Sequence, residues 1–242
     1  AALDDDIDIV VKLDGDGQMD PKLIPKLIKP LLDRKADYSK GTRFHSLKSL
    51  RSMPFMRKLG NSGLSFISKA ASGYWNIMDP TNGFTAINAV ALTQLELEKI
   101  HERYFFESDM LFRLATIRAV VRDVPMDAKY ANEESGLHIW KVLFEFPPLY
   151  IKAFFKRLGY NYFLRDFNVA TLQLLVGLPL LIFGMVFGVY HWIEGIQLDL
   201  YTSTGTVMLS VLPIILGFQL LLSSITYDLN NVPTIPLAII DE

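Results

Sequence analysis

Two long runs without a charged side chain fill the last third of this chain, and they limit its possible folds more than any other feature. No Asp, Glu, Lys or Arg lies between Asp166 and Glu194, and a second uncharged run extends from Leu200 to Tyr227. An apolar helix of about 20 residues, at roughly 1.5 Å per residue, spans the hydrocarbon core of a bilayer. Half of the 242 residues are hydrophobic, which is high for a soluble domain. The pattern predicts a transmembrane hairpin over residues 168–228.

The flanking segments predict how this hairpin is oriented. The connector from His191 to Thr204 holds two acidic residues but no Lys or Arg. The positive-inside rule therefore places the connector outside and the rest of the chain in the cytoplasm, at the inner (plasma) membrane. Residues 139–167 mix aromatic and basic side chains, which is typical of interfacial amphipathic helices. Residues 229–242 are predicted to form a cytoplasmic tail.

An acidic turn follows the first apolar run of the chain, Ile7 to Val11. Asp14 and Asp16 stand one residue apart, and a buried strand of a parallel sheet would deliver both to its carboxyl end. Two carboxylates there can bind Mg²⁺ or Mn²⁺, with substrate phosphate and water as the remaining ligands. An EF-hand loop is excluded because its sixth and twelfth positions would be Met19 and Pro25. A solvated acidic turn without function remains the alternative.

A basic segment extends from Tyr38 to Met78, where Lys and Arg occur without any Asp or Glu. Such a segment favours phosphate groups or an anionic membrane surface, and a solvated basic face is the alternative. Within this segment, a short strand is predicted to end just before Arg43, which then lies on a loop. Arg57 is the first of several polar residues at helical spacing. The chain has no Cys and four scattered His residues, which excludes disulfides and argues against a zinc site.

Further elements follow between the basic segment and residue 138. A turn rich in Pro, Asn and Gly leads into a strand, and Val90 to His101 is predicted as a helix. Glu107 and Asp109 are predicted in the first turn of another helix. Both could simply stabilise the helix dipole, and Asp109 could alternatively accept a proton from the acceptor. A strand is predicted over residues 119–124, and residues 130–137 form a polar loop that could close over a substrate.

Several short motifs occur in an order that resembles family-2 glycosyltransferases, in the branch related to dolichyl-phosphate mannosyltransferase and bacterial polyprenyl-phosphate sugar transferases. These motifs are Leu-Asp-Gly-Asp-Gly-Gln-Met-Asp-Pro (13–21), Gly-Thr-Arg (41–43), Asp-Pro-Thr-Asn-Gly-Phe (79–84) and Glu-Ser-Asp (107–109), followed by the transmembrane pair. The resemblance implies an α/β fold of the GT-A (Rossmann-like) type over residues 1–138. The strand that would bind the nucleotide base is expected upstream of residue 1, so this fragment alone is expected to be inactive.

The resemblance also implies roles for individual residues. Asp14 and Asp16 match the motif that binds the metal and the diphosphate, and Gln18 matches its polar follower. Arg43 matches the arginine of the family's Gly-Ser-Arg segment, here with Thr42 in place of Ser. Arg43 and Arg57 are expected to hold the acceptor phosphate. Asp79, Glu107 and Asp109 match acidic positions of the catalytic centre, although the motif around Asp109 departs from several relatives.

The function implied is membrane-bound, inverting and metal-dependent transfer of a sugar from a nucleotide-diphospho-sugar to a polyprenyl phosphate, in cell-wall or polysaccharide biosynthesis. Nucleic acid is not an expected partner, and a homo-oligomer is possible. Two alternatives remain open. One is a transferase of the same fold acting on a sugar hydroxyl, for which Asp109 would be indispensable. The other is a non-catalytic, membrane-anchored binding module.

Overall fold

The structure, a computed structural model, describes residues 7–15, 17, 19–44, 55–102, 105–126 and 139–240. Within these ranges, the side chains of 55–61, 139–144 and 240 are outside the description. The chain divides into two compact units. The first contains residues 1–158 and 232–242, and the second contains residues 159–231.

A four-stranded sheet lies at the centre of the first unit, with the strand order β1-β3-β2-β4. The strands are β1 (Ile9–Lys12), β2 (Tyr38–Thr42), β3 (Thr85–Asn88) and β4 (Val121–Pro125). Strand β3 is antiparallel to both of its neighbours, whereas β2 and β4 are parallel. The expectation of a parallel sheet was therefore wrong for β3, and β1 is half-buried rather than fully buried. Strands β1, β2 and β4 still share one direction, so their carboxyl ends lie at the same edge.

Helices cover both faces of this sheet. Helix α1 (Ile24–Leu32) packs Leu27 and Leu31 against one face. The other face is covered by α3 (Ala89–Thr93) and α4 (Phe106–Thr116), which bury Ala91, Leu111 and Leu114. Helices α2 (Phe55–Ser72) and α5 (Ile139–Leu158) pack together with α4 around an aromatic cluster. This α/β arrangement agrees with the predicted class, and a GT-A fold is compatible with it.

The segment predicted as a helix from Val90 to His101 is shorter in the structure. Asn88 caps α3 by accepting a hydrogen bond from Ala91 N, and α3 ends at Thr93. A single 3₁₀ turn, Leu97–Lys99, follows it. The apolar spacing that favoured one helix is satisfied by α3 and by Leu95 and Ile100, which flank the turn and pack on the same core, whereas Leu97 of the turn is exposed.

The C-terminal segment returns to the first unit and is bound there by a buried carboxylate. Asp37 accepts hydrogen bonds from Leu237 N, at 3.0 Å to each carboxylate oxygen, and from Val120 N at 2.8 Å. Leu237 starts α8 (Leu237–Ile240) and is buried in the core beside α3. Whether residues 229–242 lie on the cytoplasmic side remains a prediction.

We expect Asp37→Ala to destabilise the first unit by roughly 2–4 kcal/mol, because buried N–H donors lose their acceptor. Chemical denaturation of the detergent-solubilised protein measures this loss. Limited proteolysis should then cut the C-terminal segment faster than in the wild type. An Asp33→Ala control, which changes an exposed aspartate, should leave both readouts unchanged.

The second unit contains the predicted hairpin. A π-helix (Gly159–Arg165) precedes α6 (Val169–Leu198) and α7 (Thr204–Asn230), the two helices that are long and apolar enough to cross a membrane within the described chain. Asn168 and Ser203 cap the two helices through their side chains. Most of the large apolar side chains on both helices are exposed, unlike those of a core helix in a soluble protein.

Small residues let α6 and α7 approach closely. A Cβ added to Gly217 would lie 2.6 Å from Leu181 N and 2.7 Å from Gly177 O, both of them backbone atoms. Ser210 donates a hydrogen bond to Gly184 O at 3.0 Å. This pattern of glycine and serine contacts is typical of helix pairs in lipid.

We expect Gly217→Ala to weaken the α6–α7 pair by roughly 1–3 kcal/mol, because backbone atoms cannot move aside for a methyl group. Distance distributions between spin labels on the two helices, recorded in lipid nanodiscs, should broaden or shift. Gly205→Ala is the control, since its nearest atom is 3.9 Å from the added Cβ.

Candidate functional site

The predicted site residues gather at the carboxyl edge of the sheet. Asp14 follows β1, Arg43 follows β2, and the loop that enters β3 carries Asp79 and Gly83. Because β3 is antiparallel, its beginning lies at the edge where β1 and β2 end. This topology brings together Asp14 and Gly83, which are 69 residues apart in the chain.

Lys12 joins two of the predicted acidic residues. Its ammonium lies 2.7 Å from Asp14 Oδ1 and 2.9 Å from Glu107 Oε1. Burial lowers the pKa of Lys12, but hydrogen bonds and charge from Asp14 and Glu107 outweigh it and raise the pKa above its ordinary value. Helix α4 thus presents Glu107 to the acidic turn. Lys12 itself was not singled out from the sequence.

The Asp14 carboxylate rests where Gly83 has no side chain. A Cβ added to Gly83 would overlap Asp14 Oδ2. The Asn-Gly motif therefore does more than form a turn, because glycine leaves the space that the carboxylate fills. Any larger residue at position 83 would displace Asp14.

Arg43 and Asp79 form a second charged pair. Arg43 Nε and Nη2 donate to Asp79 at 2.7 and 2.9 Å, and Arg43 N also approaches Asp79 Oδ2 at 3.3 Å. The Asp79 side chain is 1% exposed, whereas Arg43 is 29% exposed. The buried carboxylate therefore fixes the direction of a guanidinium that still reaches the surface.

Asp109 is engaged in a different set of contacts. Its carboxylate accepts hydrogen bonds from His101 N and from Arg113 Nε, both at 2.8 Å. The neighbouring Ser108 shares a hydrogen bond with Tyr150 of α5 at 2.7 Å. Asp109 thus joins α4 to the preceding segment, and its catalytic role remains a prediction.

Two charged residues inside the strands were missed by the sequence reasoning. Lys40 of β2 is fully buried, and its ammonium donates to the carbonyl oxygen of Asn82. Asp123 of β4 accepts a hydrogen bond from Met78 N at 2.6 Å. Both therefore hold the loop that carries Asp79 and Gly83. A charged residue within a predicted strand was the available signal, since such a residue is seldom buried without a partner.

We expect Asp123 to give the folding stability a distinct pH dependence. Burial raises its pKa to about 6, and the charge of Asp79 adds to the rise while the Met78 hydrogen bond opposes it. The ordinary value is 3.8, so the folded state favours the protonated acid. This stabilisation is present below about pH 4 and is lost as the pH rises through about 6, an effect of roughly 3 kcal/mol.

Denaturant unfolding of the wild type and of Asp123→Asn across this pH range measures the effect. The difference between the two proteins should change from pH 4 to pH 7 and stay constant above it. A difference that did not vary with pH would contradict the raised pKa.

Three predicted site residues lie outside the description: Asp16, Gln18 and the side chain of Arg57. Residues 45–54 and the predicted substrate loop 130–137 do so as well. Among the described residues, no group of three or more His, Cys, Asp or Glu side chains is placed to hold a metal ion. The exposed carboxylate of Asp14 is nevertheless the hard oxygen ligand that Mg²⁺ or Mn²⁺ prefers, so the chemistry fits.

Comparisons with curated proteins give relatives that include three named sugar transferases. The chain is 33% identical over 125 residues to the UDP-N-acetylglucosamine–dolichyl-phosphate N-acetylglucosaminyltransferase of Methanococcus voltae, covering 52% of this chain and 49% of that protein. It is 30% identical over 120 residues to the undecaprenyl-phosphate mannosyltransferase of Micrococcus luteus, covering 49% and 48%. It is 31% identical over 101 residues to the dolichol-phosphate mannosyltransferase of Pyrococcus furiosus, covering 41% and 28%.

These relatives confirm the resemblance to polyprenyl-phosphate sugar transferases of glycosyltransferase family 2. All three are named as glycosyltransferases, which favours an enzyme over a non-catalytic binding module. The chain spans about half the length of the first two and about a quarter of the third. No family model matches the chain.

Proposed function

We propose that this chain forms the membrane-anchored part of a glycosyltransferase that moves a sugar from a nucleotide-diphospho-sugar to a polyprenyl phosphate. The observation that carries the proposal is the meeting of Asp14, Glu107, Arg43 and Asp79 at one edge of the sheet. The named relatives, which are polyprenyl-phosphate or dolichyl-phosphate sugar transferases, support it. The two apolar helices would anchor the protein in the membrane that holds the lipid acceptor.

The proposed reaction is a single displacement. A phosphate oxygen of the lipid attacks the anomeric carbon and forms the new C–O bond. The bond from that carbon to the β-phosphate oxygen breaks, and its electron pair leaves with the nucleoside diphosphate. Attack from the opposite side inverts the anomeric configuration. The acceptor is already an anion, so the reaction needs no strong general base.

Four described residues, Lys12, Asp14, Arg43 and Asp79, have roles in this scheme. Asp14, together with Asp16, would hold the divalent ion, which when bound stabilises negative charge on the departing diphosphate. Lys12 would have to leave Asp14 for that ion, and its ammonium can then turn to a phosphate oxygen. Arg43, aligned by Asp79, would hold the acceptor phosphate in line with the anomeric carbon.

The acceptor is proposed to be a phosphate rather than a sugar hydroxyl. A hydroxyl acceptor would need Asp109 as a base, and its carboxylate is instead engaged by two donors, Arg113 Nε and His101 N. The test is incubation of the full-length protein with labelled nucleotide sugars and undecaprenyl or dolichyl phosphate. We expect a labelled, negatively charged lipid. Transfer to a sugar hydroxyl alone would contradict the choice of acceptor.

A further inference from the structure

A row of polar residues crosses the sheet next to the proposed site. The register pairs Lys12 with Thr85, Thr85 with Lys40, and Lys40 with Asp123. Directly paired residues point to the same face of a sheet. The next row on this face is apolar and contains Val10, Ile87, Tyr38 and Val121. The polar row therefore marks where the hydrophobic core ends and the site begins.

Lys40 is the most buried cation of this row, with 0% of its surface exposed. An ammonium in such a place is costly unless its charge is compensated. Its hydrogen bond goes to the carbonyl oxygen of Asn82. Burial lowers the pKa of Lys40 to about 8, and the charges of Glu107, Asp79 and Asp123 oppose that fall. A cation is thus fixed beneath one particular peptide group, the one that joins Asn82 to Gly83.

The geometry of that peptide group directs its other end away from Lys40. The described chain contains no cis peptide bond, and in a trans peptide the C=O and the N–H point in opposite directions. With the Asn82 carbonyl on Lys40, the Gly83 N–H faces the other side. A positive charge on the carbonyl also polarises the peptide, which makes the N–H a stronger donor.

The Asp14 carboxylate lies against Gly83. The position of a side chain on Gly83 is taken by Asp14 Oδ2, so the two residues are in direct contact. Gly83 is buried, and no group among the described residues accepts a hydrogen bond from its N–H. A buried backbone donor without an acceptor is uncommon in folded proteins and indicates a place where another molecule supplies the acceptor.

We propose that Lys40 is a positioning residue that holds and polarises the Asn82–Gly83 peptide, and that the Gly83 N–H binds a phosphate oxygen of the nucleoside diphosphate beside Asp14. This inference rests on the proposed function and adds two residues to it. The arrangement stabilises charge as an oxyanion hole does, because a fixed donor, the Gly83 N–H, points to the place where negative charge accumulates. Gly83 is then the ligand contact, and Lys40 acts through it.

The sequence offers a direct probe, because Asn82–Gly83 is the one Asn-Gly pair in these 242 residues. Labelling with [1-¹³C]Asn and [¹⁵N]Gly, followed by a TROSY-HNCO spectrum, selects the amide of Gly83. Its disappearance in Gly83→Ala assigns the signal. Adding UDP or GDP with Mg²⁺ to the full-length protein should shift the Gly83 proton downfield, whereas uridine or guanosine should not.

Two variants separate positioning from simple structural support. Lys40→Met keeps the length of the side chain and removes its charge, and we expect it to weaken binding of the diphosphate by about 10- to 100-fold. Lys40→Arg keeps the charge and should recover part of the affinity. Lys35→Met, the same replacement at an exposed lysine, is the matched control and should bind as the wild type does. Affinity for the nucleoside alone should be equal in all four proteins.

The possible results discriminate between the two proposals. If the wild type binds neither UDP nor GDP, the proposed function fails and this inference fails with it. If a diphosphate binds but the Gly83 signal does not move, or Lys40→Met binds it as tightly as the wild type, the proposed function stands and the inference is overturned. Should Lys40→Met not fold, the spectra of the wild type decide alone.

Discussion

Arg43→Met should abolish sugar transfer and destabilise the first unit by roughly 3–5 kcal/mol. The large loss of stability follows from burial, since the variant leaves the Asp79 carboxylate in the core without its ionic partner. The loss of activity follows from the proposed role of the guanidinium, and we expect a decrease of at least about 100-fold. Denaturant unfolding and transfer of labelled sugar to polyprenyl phosphate measure the two effects.

A double-mutant cycle separates stability from function. Arg43→Met combined with Asp79→Asn removes both charges, so it should recover much of the stability that the single variant loses. It should remain inactive, because no guanidinium is left to hold the acceptor phosphate. Arg43→Lys keeps a charge but cannot make the two parallel hydrogen bonds, and intermediate values are expected. If the double variant recovered activity together with stability, Arg43 would be a structural residue only.

The sequence predicted which segments form the site more reliably than how their side chains interact. Asp14 follows a strand, as the apolar run before it indicated, and Arg43 follows the predicted short strand. Glu107 and Asp109 lie in the first turn of a helix. These features depend on neighbouring residues in the chain. The pairing of Arg43 with Asp79 depends instead on the direction of β3, over a separation of 36 residues, and local periodicity contains no information about it.

The lysines at positions 12 and 40, both on strands, also show that the local sequence does not predict side-chain contacts. Lys12 ends the apolar strand β1 and Lys40 lies between Ser39 and Gly41 of β2, and a lysine at either place is normally expected at the surface. The register places Lys40 opposite Asp123 and Thr85, where carboxylates and the Asn82 carbonyl compensate its charge. The hairpin was easier to predict, because length and the absence of charge over about 20 residues suffice. The observed helices, Val169–Leu198 and Thr204–Asn230, extend beyond the predicted apolar runs at their C-terminal ends.

Replacement of the acidic turn should affect activity most. We expect Asp14→Asn and Asp16→Ala each to lower sugar transfer by roughly 100- to 1,000-fold or more, because the charge that develops on the departing diphosphate would lose its counter-charge. Chelation with EDTA should stop the wild type, and Mg²⁺ or Mn²⁺ should restore it. Asp33→Asn is the matched control, since Asp33 is an exposed aspartate that pairs only with surface lysines among the described residues.

Measurements of metal binding show whether the loss of sugar transfer is caused by weaker binding of the divalent ion. Titration of the full-length protein with Mn²⁺, followed by the EPR signal of the free ion, should give at least about 10-fold weaker binding for Asp14→Asn and Asp16→Ala than for Asp33→Asn. In Asp14→Asn, Lys12 keeps Glu107 as its partner, so the fold around the turn should be preserved and the loss should be confined to binding. Turnover that survived both EDTA and Asp16→Ala would exclude a metal-dependent reaction, and the two lysines of the polar row would then have to neutralise the diphosphate alone.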